Sequence, residues 1–418
     1  MNIVVGTLIL IIGIITALQL SILFIAGDMY DIQHIHKMRK MKDMDFSPLL
    51  SIVISAFNED KVIYRTLQSI YSSDYKNFEV IVVNDGSKDD TSREVKRFIQ
   101  DTGVENLTFV DQLNAGKASG LNNGIKNYAK GSLIMSLDAD SIVTKTTVSK
   151  AVEYFKDTDV IAIAACVRVI NDYTLLGILQ NIEYIFSYKL KKARTFFNAE
   201  YIIGGVGATF RREILESCEY YDTLSQTEDI ALTLKIINKH GNKENRVIYA
   251  ADVVCLTQGV PNLKALFKQR YRWKYGFLQA LYKNRSLILN RSNKYSKLLT
   301  FYNLPLSIYG EILSLIDPFL LLFVIYYTIR FQDLSLFAGM FIFLGSYTLL
   351  TILSDEYSNW REKGELILFV PLSYLFFVTL GIIGDIAIFK SLLHIKGIIH
   401  TPETTVHTWD TTRATVRE

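Results

Sequence analysis

A long uncharged segment near the start of the chain most constrains how it can fold. Residues 2–27, NIVVGTLILIIGIITALQLSILFIAG, contain no Asp, Glu, Lys or Arg, and about 20 apolar residues are enough for a helix to cross a bilayer core. A cleaved secretory signal is the alternative, but it would have a basic leader, a shorter apolar run and a small-residue cleavage site. None of these is visible, so we predict a retained transmembrane helix over residues 1–28.

The residues that follow predict the orientation of this helix. They include Lys37, Arg39, Lys40 and Lys42, and short basic flanks stay on the cytoplasmic side of a membrane. We therefore expect residues 29–47 to form a basic linker and the next domain to lie in the cytosol. The three cysteines are widely spaced, which indicates neither a zinc site nor a disulfide framework and fits reduced cytosolic thiols.

The composition and the C-terminal part indicate further membrane contact. Half of the residues are hydrophobic (50%) and 21% are charged, which is typical of a chain with both membrane and soluble parts. Three further apolar segments cover residues 312–331, 335–353 and 366–389. They predict a C-terminal transmembrane region over 301–393, followed by a tail over 394–418. Alternating crossings place this tail outside, whereas Lys390 and Lys396 favour the inside, so its topology stays open.

The segment between the membrane regions alternates short apolar runs with helical patterns. The runs read as strands buried on both faces, at residues 49–57, 78–85, 107–110, 132–140 and 160–170. Such runs, joined by segments long enough for helical crossovers, predict an α/β domain with a parallel sheet and helices on both faces. We place this domain over residues 48–258. Ligands of such sheets bind beyond the carboxyl ends of the strands.

Acidic residues end several of these predicted strands. Glu59 follows the first, Asp85 ends the second within NDGS, and Asp138 and Asp140 end the fourth within DAD. Asp and Gly also form ordinary turns, which is the alternative for NDGS. Two carboxylates at i and i+2 face the same way on a strand. A hard cation between them, most often Mg²⁺ completed by substrate phosphates, explains that pairing economically.

A basic and aromatic stretch, KQRYRWKYG, covers residues 268–276. Basic residues interleaved with aromatic ones are typical of a helix lying on an anionic membrane surface. Nucleic acid is a weaker explanation, because the net charge is only +3 and the chain has no nucleic-acid-binding motif. We therefore predict amphipathic interface helices over residues 259–300.

Together these motifs resemble those of processive family 2 glycosyltransferases. The motifs FNE, NDGS, NAGKASGLNNG, DAD, TED and QRYRW follow one another over about residues 48–290, as in cellulose, chitin, hyaluronan and poly-N-acetylglucosamine synthases. The overall pattern is most similar to that of the poly-β-1,6-N-acetylglucosamine synthases. The segment Gly204–Gly207 departs from the Ser-Gly usual in those enzymes, which leaves the sugar open. The resemblance implies a GT-A catalytic domain attached to an α-helical transmembrane bundle.

The resemblance also implies a role for each motif residue. The donor is a UDP-sugar, with Glu59, Asp85 and Lys117 contacting the nucleotide, Asp138 and Asp140 holding Mg²⁺ or Mn²⁺ on the diphosphate, and Arg272 approaching that diphosphate. Gln269 and Trp273 bind the growing polysaccharide, and Thr227, Glu228 and Asp229 form the catalytic TED motif, with Asp229 as general base. Glu228 and Asp229 have an ordinary explanation too, as first-turn carboxylates opposing a helix dipole. For the non-motif residues Arg270 and Lys274 we expect contact with lipid headgroups.

The resemblance implies a multi-pass protein of a bacterial plasma membrane that extends a β-linked polymer from UDP-N-acetylglucosamine and moves it across the bilayer. A β-glucan or other glycan synthase using UDP-glucose is the nearest alternative. Transfer of one sugar to a lipid carrier, or a non-catalytic transport or assembly subunit, are further alternatives. The resemblance allows a small accessory membrane subunit as a partner, and we expect no nucleic acid.

Overall fold

The computed structural model describes residues 3–41, 43–170 and 174–399, so Lys42 and the predicted tail from residue 400 onward lie outside the described residues. Its centre is a sheet of eight strands with the order β3-β2-β1-β4-β7-β6-β8-β5. These strands are β1 (Leu50–Ala56), β2 (Phe78–Asp85), β3 (Leu107–Gln112), β4 (Leu133–Asp138), β5 (Ile142–Val143), β6 (Val160–Val169), β7 (Ala208–Arg211) and β8 (Arg246–Thr257).

The first half of the sheet is parallel, as the apolar runs predict. Strand β1 pairs in parallel with both β2 and β4, and β2 pairs in parallel with β3. Every residue of β1 is buried, which accounts for its continuous apolar run. All five predicted strands are confirmed within a few residues.

The second half of the sheet corrects the expectation of a parallel sheet. Strand β7 is antiparallel to both β4 and β6, and β5 is antiparallel to β8. The sheet is therefore mixed, although parallel pairs predominate. Strand β7 has only four residues and follows a glycine-rich segment, so it carries too little pattern to be predicted.

The N-terminal helix α1 (Ile3–Lys40) extends well beyond the uncharged segment. The linker predicted over residues 29–47 is therefore wrong up to Lys40. The polar end of α1 is helical because it docks on the α/β domain. Asp31 pairs with Lys192 at 2.8 Å, and the Tyr30 hydroxyl donates to the backbone oxygen of Tyr249 at 2.7 Å.

Eight helices of the described chain accompany the sheet. They are α2 (Ile63–Tyr71), α3 (Thr91–Thr102), α4 (Lys117–Asn127), α5 (Thr147–Tyr154), α6 (Leu175–Phe196), α7 (Arg212–Ser217), α8 (Glu228–His240) and α9 (Leu263–Lys283). Helix α4 lies unusually close to the sheet, because a methyl group on Gly124 would approach Val53 Cγ1 to 2.6 Å. This close packing fixes the position of Lys117 at the first turn of α4.

The C-terminal region is helical and largely apolar. Its helices are α10 (Leu304–Ser314), α11 (Asp317–Phe331), α12 (Ser335–Leu353), α13 (Trp360–Leu368), α14 (Val370–Leu393) and α15 (Ile395–Ile399). In the described part of the chain, two helices are long and apolar enough to cross a bilayer, Gly13–Lys40 and Val370–Leu393. Two shorter apolar helices, Leu321–Phe331 and Phe337–Leu353, lie between them in sequence.

Candidate active site

Asp85 organises the loop that leads into α4. Its buried carboxylate accepts hydrogen bonds from Gln112 Nε2 at 2.7 Å, from the Ala115 amide at 2.9 Å and from the Gly116 amide at 2.8 Å. Gly116 has a φ of 90°, a backbone conformation that favours glycine. Asp85 therefore holds the loop just before Lys117, and its predicted contact with a nucleotide stays a prediction.

Lys117 joins two of the acidic motifs. Its ammonium Nζ lies 2.5 Å from Asp138 Oδ1 and 2.9 Å from Glu228 Oε1. Burial alone lowers the pKa of Lys117, but the charges of Asp138 and Glu228 outweigh it and raise the pKa above its ordinary value. The lysine of NAGK, the first aspartate of DAD and the glutamate of TED therefore form one cluster.

Asp229 lies beside this cluster in the first turn of α8. Burial, followed by the neighbouring charge of Glu228, raises the pKa of Asp229 from 3.8 to about 6, although Lys117 and Arg272 act in the opposite direction. Its Oδ1 accepts the Ile230 amide at 2.8 Å. A carboxyl group with a pKa close to neutrality is suited to accept a proton in a reaction near pH 7.

A glycine-rich loop between α6 and β7 covers this cluster. A methyl group on Gly205 would lie 3.0 Å from Lys117 Nζ and 3.6 Å from Asp229 Oδ2, whereas one on Gly204 would meet nothing within 4 Å. The Ser136 hydroxyl holds the loop by donating to the Gly205 carbonyl at 3.2 Å. Sequence reasoning noted this segment only as a departure from a pattern and missed its place at the site.

Helix α9 carries the QRYRW residues and packs on the TED loop. Gly276 lies against Thr227, since a methyl group there would approach Thr227 Cβ to 2.9 Å. One turn away from Gly276, Gln279 accepts the Gln226 amide at 3.2 Å and donates to the Leu224 carbonyl at 3.3 Å. Neither Gly276 nor Gln279 was identified from the sequence, although both belong to the contact between α9 and TED.

The expectation that Arg270 and Lys274 contact lipid headgroups is wrong. Arg270 Nη2 pairs with Glu183 Oε2 on α6 at 2.8 Å, and Lys274 Nζ pairs with Glu311 Oε1 on α10 at 2.6 Å. Both cations are used inside the protein because each faces a carboxylate from another helix. The Arg270 guanidinium also stacks on the Trp273 ring, 4.5 Å from its centroid.

Of the remaining predicted residues, three lie on α9 and Glu59 follows β1. Trp273 is half-buried, Arg272 is exposed and its charge acts on Asp229, and the buried Gln269 Oε1 has no hydrogen-bond partner in the described part of the chain. The Glu59 amide donates to Thr91 Oγ1 at 2.8 Å after the end of β1.

The predicted metal ligands lie at the end of strand β4, with Asp138 as its last residue. Asp138 belongs to the cluster with Lys117, and Asp140 is buried two residues later. Within residues 3–41, 43–170 and 174–399, no group of three or more His, Cys, Asp or Glu is arranged to hold a metal ion. Mg²⁺, however, is commonly held by one or two carboxylates together with substrate phosphates, so two carboxylates are an adequate protein contribution.

Comparison with known proteins finds similarity to glycosyltransferases. The family profile described as glycosyl transferase family 2 matches residues 51–218. The poly-beta-1,6-N-acetyl-D-glucosamine synthase of Staphylococcus aureus (strain COL) is 32% identical over 267 residues, which are 62% of this chain and 62% of that protein. The synthase of the same name from Staphylococcus epidermidis is 31% identical over 230 residues, 54% of each chain.

The match therefore spans less than two thirds of the length of these curated relatives. Among solved structures, a mannosyltransferase from Pyrobaculum calidifontis in complex with GDP-Man and Mn²⁺ has a TM-score of 0.57 at 20% identity, covering 89% of this chain and 97% of that one. This likeness concerns the fold, which is a GT-A-like glycosyltransferase fold with a mixed sheet. Residues 51–218, which are less than half of the chain, are similar to glycosyltransferase family 2.

Proposed function

We propose that this protein is a membrane-embedded, inverting β-glycosyltransferase that polymerises N-acetylglucosamine from UDP-N-acetylglucosamine and moves the polymer across the membrane. The observation that carries the proposal is the cluster in which Lys117 bridges Asp138 and Glu228 beside Asp229. The cluster places the Lys117 ammonium close to the Asp229 carboxyl group, whose pKa is raised. The similarity to staphylococcal synthases supports the choice of sugar.

In the proposed reaction, Asp229 acts on the acceptor. An acceptor hydroxyl oxygen forms a bond to the anomeric carbon of the donor while its proton passes to the Asp229 carboxylate. The bond between the anomeric carbon and the diphosphate oxygen breaks, and UDP leaves with that electron pair. One displacement of this kind converts an α-linked donor into a β-linked product. Glu228, paired with Lys117, keeps negative charge next to Asp229 and so favours its proton uptake.

The donor diphosphate is proposed to lie at the Lys117 end of the cluster. The Lys117 ammonium can contact phosphate oxygens, and the Arg272 guanidinium offers donors whose geometry suits phosphate. Asp138 and Asp140 would hold Mg²⁺ or Mn²⁺, which when bound supplies positive charge to the departing diphosphate. Glu59 and Asp85 are proposed to face the nucleoside, Asp85 at least in part by fixing the loop before Lys117.

The acceptor chain is proposed to bind along α9 and to leave between the apolar helices. Trp273 offers an aromatic face on which a sugar ring can stack, and Gln269, near it in sequence, has a buried Oε1 atom. Helix α9 contacts α14 closely, because a methyl group on Gly384 would lie 3.7 Å from Lys274 Cε. A bilayer around α1, α11, α12 and α14 would cover side chains such as Ile15 and Phe319, which are 58% and 69% exposed.

The test is a comparison of donors. The full chain is purified in detergent and incubated separately with UDP-N-acetylglucosamine, UDP-glucose and UDP-galactose, while UDP release and product length are measured. The proposal expects UDP release with UDP-N-acetylglucosamine above the other two donors, and products of many sugars. Preference for UDP-glucose would indicate a β-glucan synthase, and products extended by one sugar would indicate a non-processive transferase. No UDP release with any donor would contradict the enzymatic proposal.

A further inference from the structure

The Trp273 ring is held by a cation that comes from its own helix. Arg270 lies three residues before Trp273 on α9, and side chains at this spacing are neighbours on a helix surface. The Arg270 guanidinium carbon is 4.5 Å from the centroid of the Trp273 ring, within the distance at which a cation is attracted to an aromatic face. One face of the ring is therefore occupied by Arg270.

A second helix fixes this cation. Glu183 on α6 accepts from Arg270 Nη2 at 2.8 Å, and the side chains of Arg270 and Glu183 are only 15% and 17% exposed. Removing two charges from water is costly, and such pairs often add little net stability compared with apolar residues of the same volume. The pair is therefore better explained by the geometry that it imposes on its neighbours than by its contribution to folding.

An aromatic ring has two faces, so a sugar can stack only on the face that Arg270 leaves free. The Glu183 to Arg270 ion pair thus determines both the orientation of the indole and the face that it presents. The contact also anchors α9 to α6, whose C-terminal end leads into the loop that contains Gly204 and Gly205.

We propose that Glu183 and Arg270 are positioning residues that hold the Trp273 indole in the orientation needed to retain the growing polysaccharide. This inference rests on the proposed function, because it assumes that Trp273 contacts the acceptor. Weaker holding of the acceptor lets the polymer dissociate sooner, so the change expected is a shorter product. Binding of the UDP-sugar, at the Lys117 end of the site, should be unaffected.

The chain contains a matched control on the same helix. Lys274, four residues after Arg270, pairs with Glu311 on α10 at 2.6 Å, and their side chains are 31% and 16% exposed. This pair also joins α9 to another helix through a lysine or arginine and a glutamate, but it is made with α10 rather than α6. Lys274→Gln therefore disrupts a comparable ion pair while leaving the Arg270 contact with Trp273 in place.

The first measurement needs no substrate. The chain has three tryptophans, so Trp360→Phe with Trp409→Phe leaves Trp273 as the only one. In this background Arg270→Gln and Glu183→Gln should each change the intensity of Trp273 emission and its quenching by acrylamide, whereas Lys274→Gln should change neither. Unchanged emission and quenching in both Arg270→Gln and Glu183→Gln would overturn the proposed contact.

The second measurement is the product length made from UDP-N-acetylglucosamine in detergent. We expect Arg270→Gln and Glu183→Gln to shorten the mean product about tenfold, the effect of one lost cation–π contact of moderate strength. The KM for the donor should remain that of the wild type, and Lys274→Gln should keep the wild-type length. Equal shortening in Lys274→Gln, or a raised donor KM in the other two variants, would overturn the proposal.

A charge-reversed variant separates a positioning role from plain structural support. Because it restores an ion pair, it also keeps the proposal testable if a single substitution prevents folding. Glu183→Arg combined with Arg270→Glu restores an ion pair between α6 and α9 but places a carboxylate against the Trp273 ring. If the pair only supports the fold, this variant should restore full product length, and that result would overturn the proposal. Short products from a folded double variant would support it.

If the wild type releases no UDP, the proposed function fails, while the altered emission of Trp273 still supports the positioning contact.

Discussion

Gly276 on α9 lies directly against Thr227, the first residue of the TED motif. A methyl group on Gly276 would be 2.6 Å from Thr227 Cγ2 and 2.9 Å from Thr227 Cβ, distances that real Cβ atoms essentially never show. Thr227 is buried and precedes α8, which begins with Glu228 and Asp229. The contact between Gly276 and Thr227 therefore connects the proposed acceptor helix α9 to the start of α8. A displacement of α9 should change the position of Asp229.

Replacing Gly276 by Ala should separate α9 from the TED loop. Overpacking of this kind costs about 1–3 kcal/mol of stability, and the shift of α9 should also reduce turnover. The measurements are the thermal unfolding temperature in detergent and the rate of UDP release. Gly364→Ala is the control, because Gly364 lies in α13 with nothing within 4 Å of an added methyl group. Equal behaviour of the two variants would contradict tight packing at Gly276.

The proposed base gives a prediction with a clear magnitude. Asp229→Asn cannot accept the acceptor proton, so UDP release should fall by about two to four orders of magnitude, while UDP binding stays close to that of the wild type. The rate is measured by UDP release and the affinity by calorimetry.

Asp222→Asn serves as the control for that variant, because Asp222 is a nearby carboxylate paired with Lys283 at 2.6 Å. It should keep nearly full activity. Near-normal turnover in Asp229→Asn, or loss of UDP binding in a folded Asp229→Asn protein, would argue against the role of Asp229.

The raised pKa of Asp229 predicts a dependence on pH. Because a base must be unprotonated, turnover should rise as the pH passes through about 6 and level off above it. Stability should change in the opposite direction. The folded protein binds this proton more tightly than the unfolded chain does, so Asp229 makes the fold progressively less stable between pH 3.8 and about 6 and no further above that. A rate profile from about pH 5 to pH 8 without a rising limb near 6 would contradict this assignment.

The strands and the acidic motifs were predictable because each is a local pattern. The five apolar runs predict five strands, and the polar residues at the ends of β1, β2 and β4 lie at one edge because these strands are parallel. The ion-pair partners of the charged residues on α9 were not predictable from the sequence. Arg270 and Glu183 are 87 positions apart, and Lys274 and Glu311 are 37 apart, so no periodicity connects them.

The same reasoning explains the error about the linker after the predicted N-terminal membrane helix. Basic residues between residues 29 and 47 indicated a basic linker, but Asp31 and Lys192, which are 161 positions apart, form an ion pair that holds this part of α1 against α6. The position of Gly205 over Lys117 was likewise hidden, because a glycine contributes through the space it leaves, and this space depends on its neighbours in the fold.

The carboxylates at the end of β4 predict a requirement for a divalent cation. EDTA should abolish UDP release, and Mg²⁺ or Mn²⁺ should restore it, since two carboxylates and a diphosphate make a suitable ligand set. Asp140→Asn should raise the Mg²⁺ concentration needed for half-maximal activity, whereas Asp222→Asn should not change it. Full activity in the presence of EDTA would contradict the proposed metal site at Asp138 and Asp140.

The last prediction compares variants of α9 in detergent and in vesicles of anionic lipid. Trp273→Ala and Arg272→Ala should each nearly eliminate polymer synthesis in detergent, because the proposed sugar platform and the proposed diphosphate contact do not depend on lipid. Lys264 and Lys268 are exposed near the start of the same helix, so replacing both by Gln should cost little in detergent. In vesicles with anionic lipid the same double replacement should weaken membrane attachment, by about 1 kcal/mol for each basic residue.

The measurement is the rate of UDP release by each variant in both media, normalised to folded protein. Equal losses in detergent for the lysine variant and for Trp273→Ala would mean that the whole basic side of α9 faces the active site.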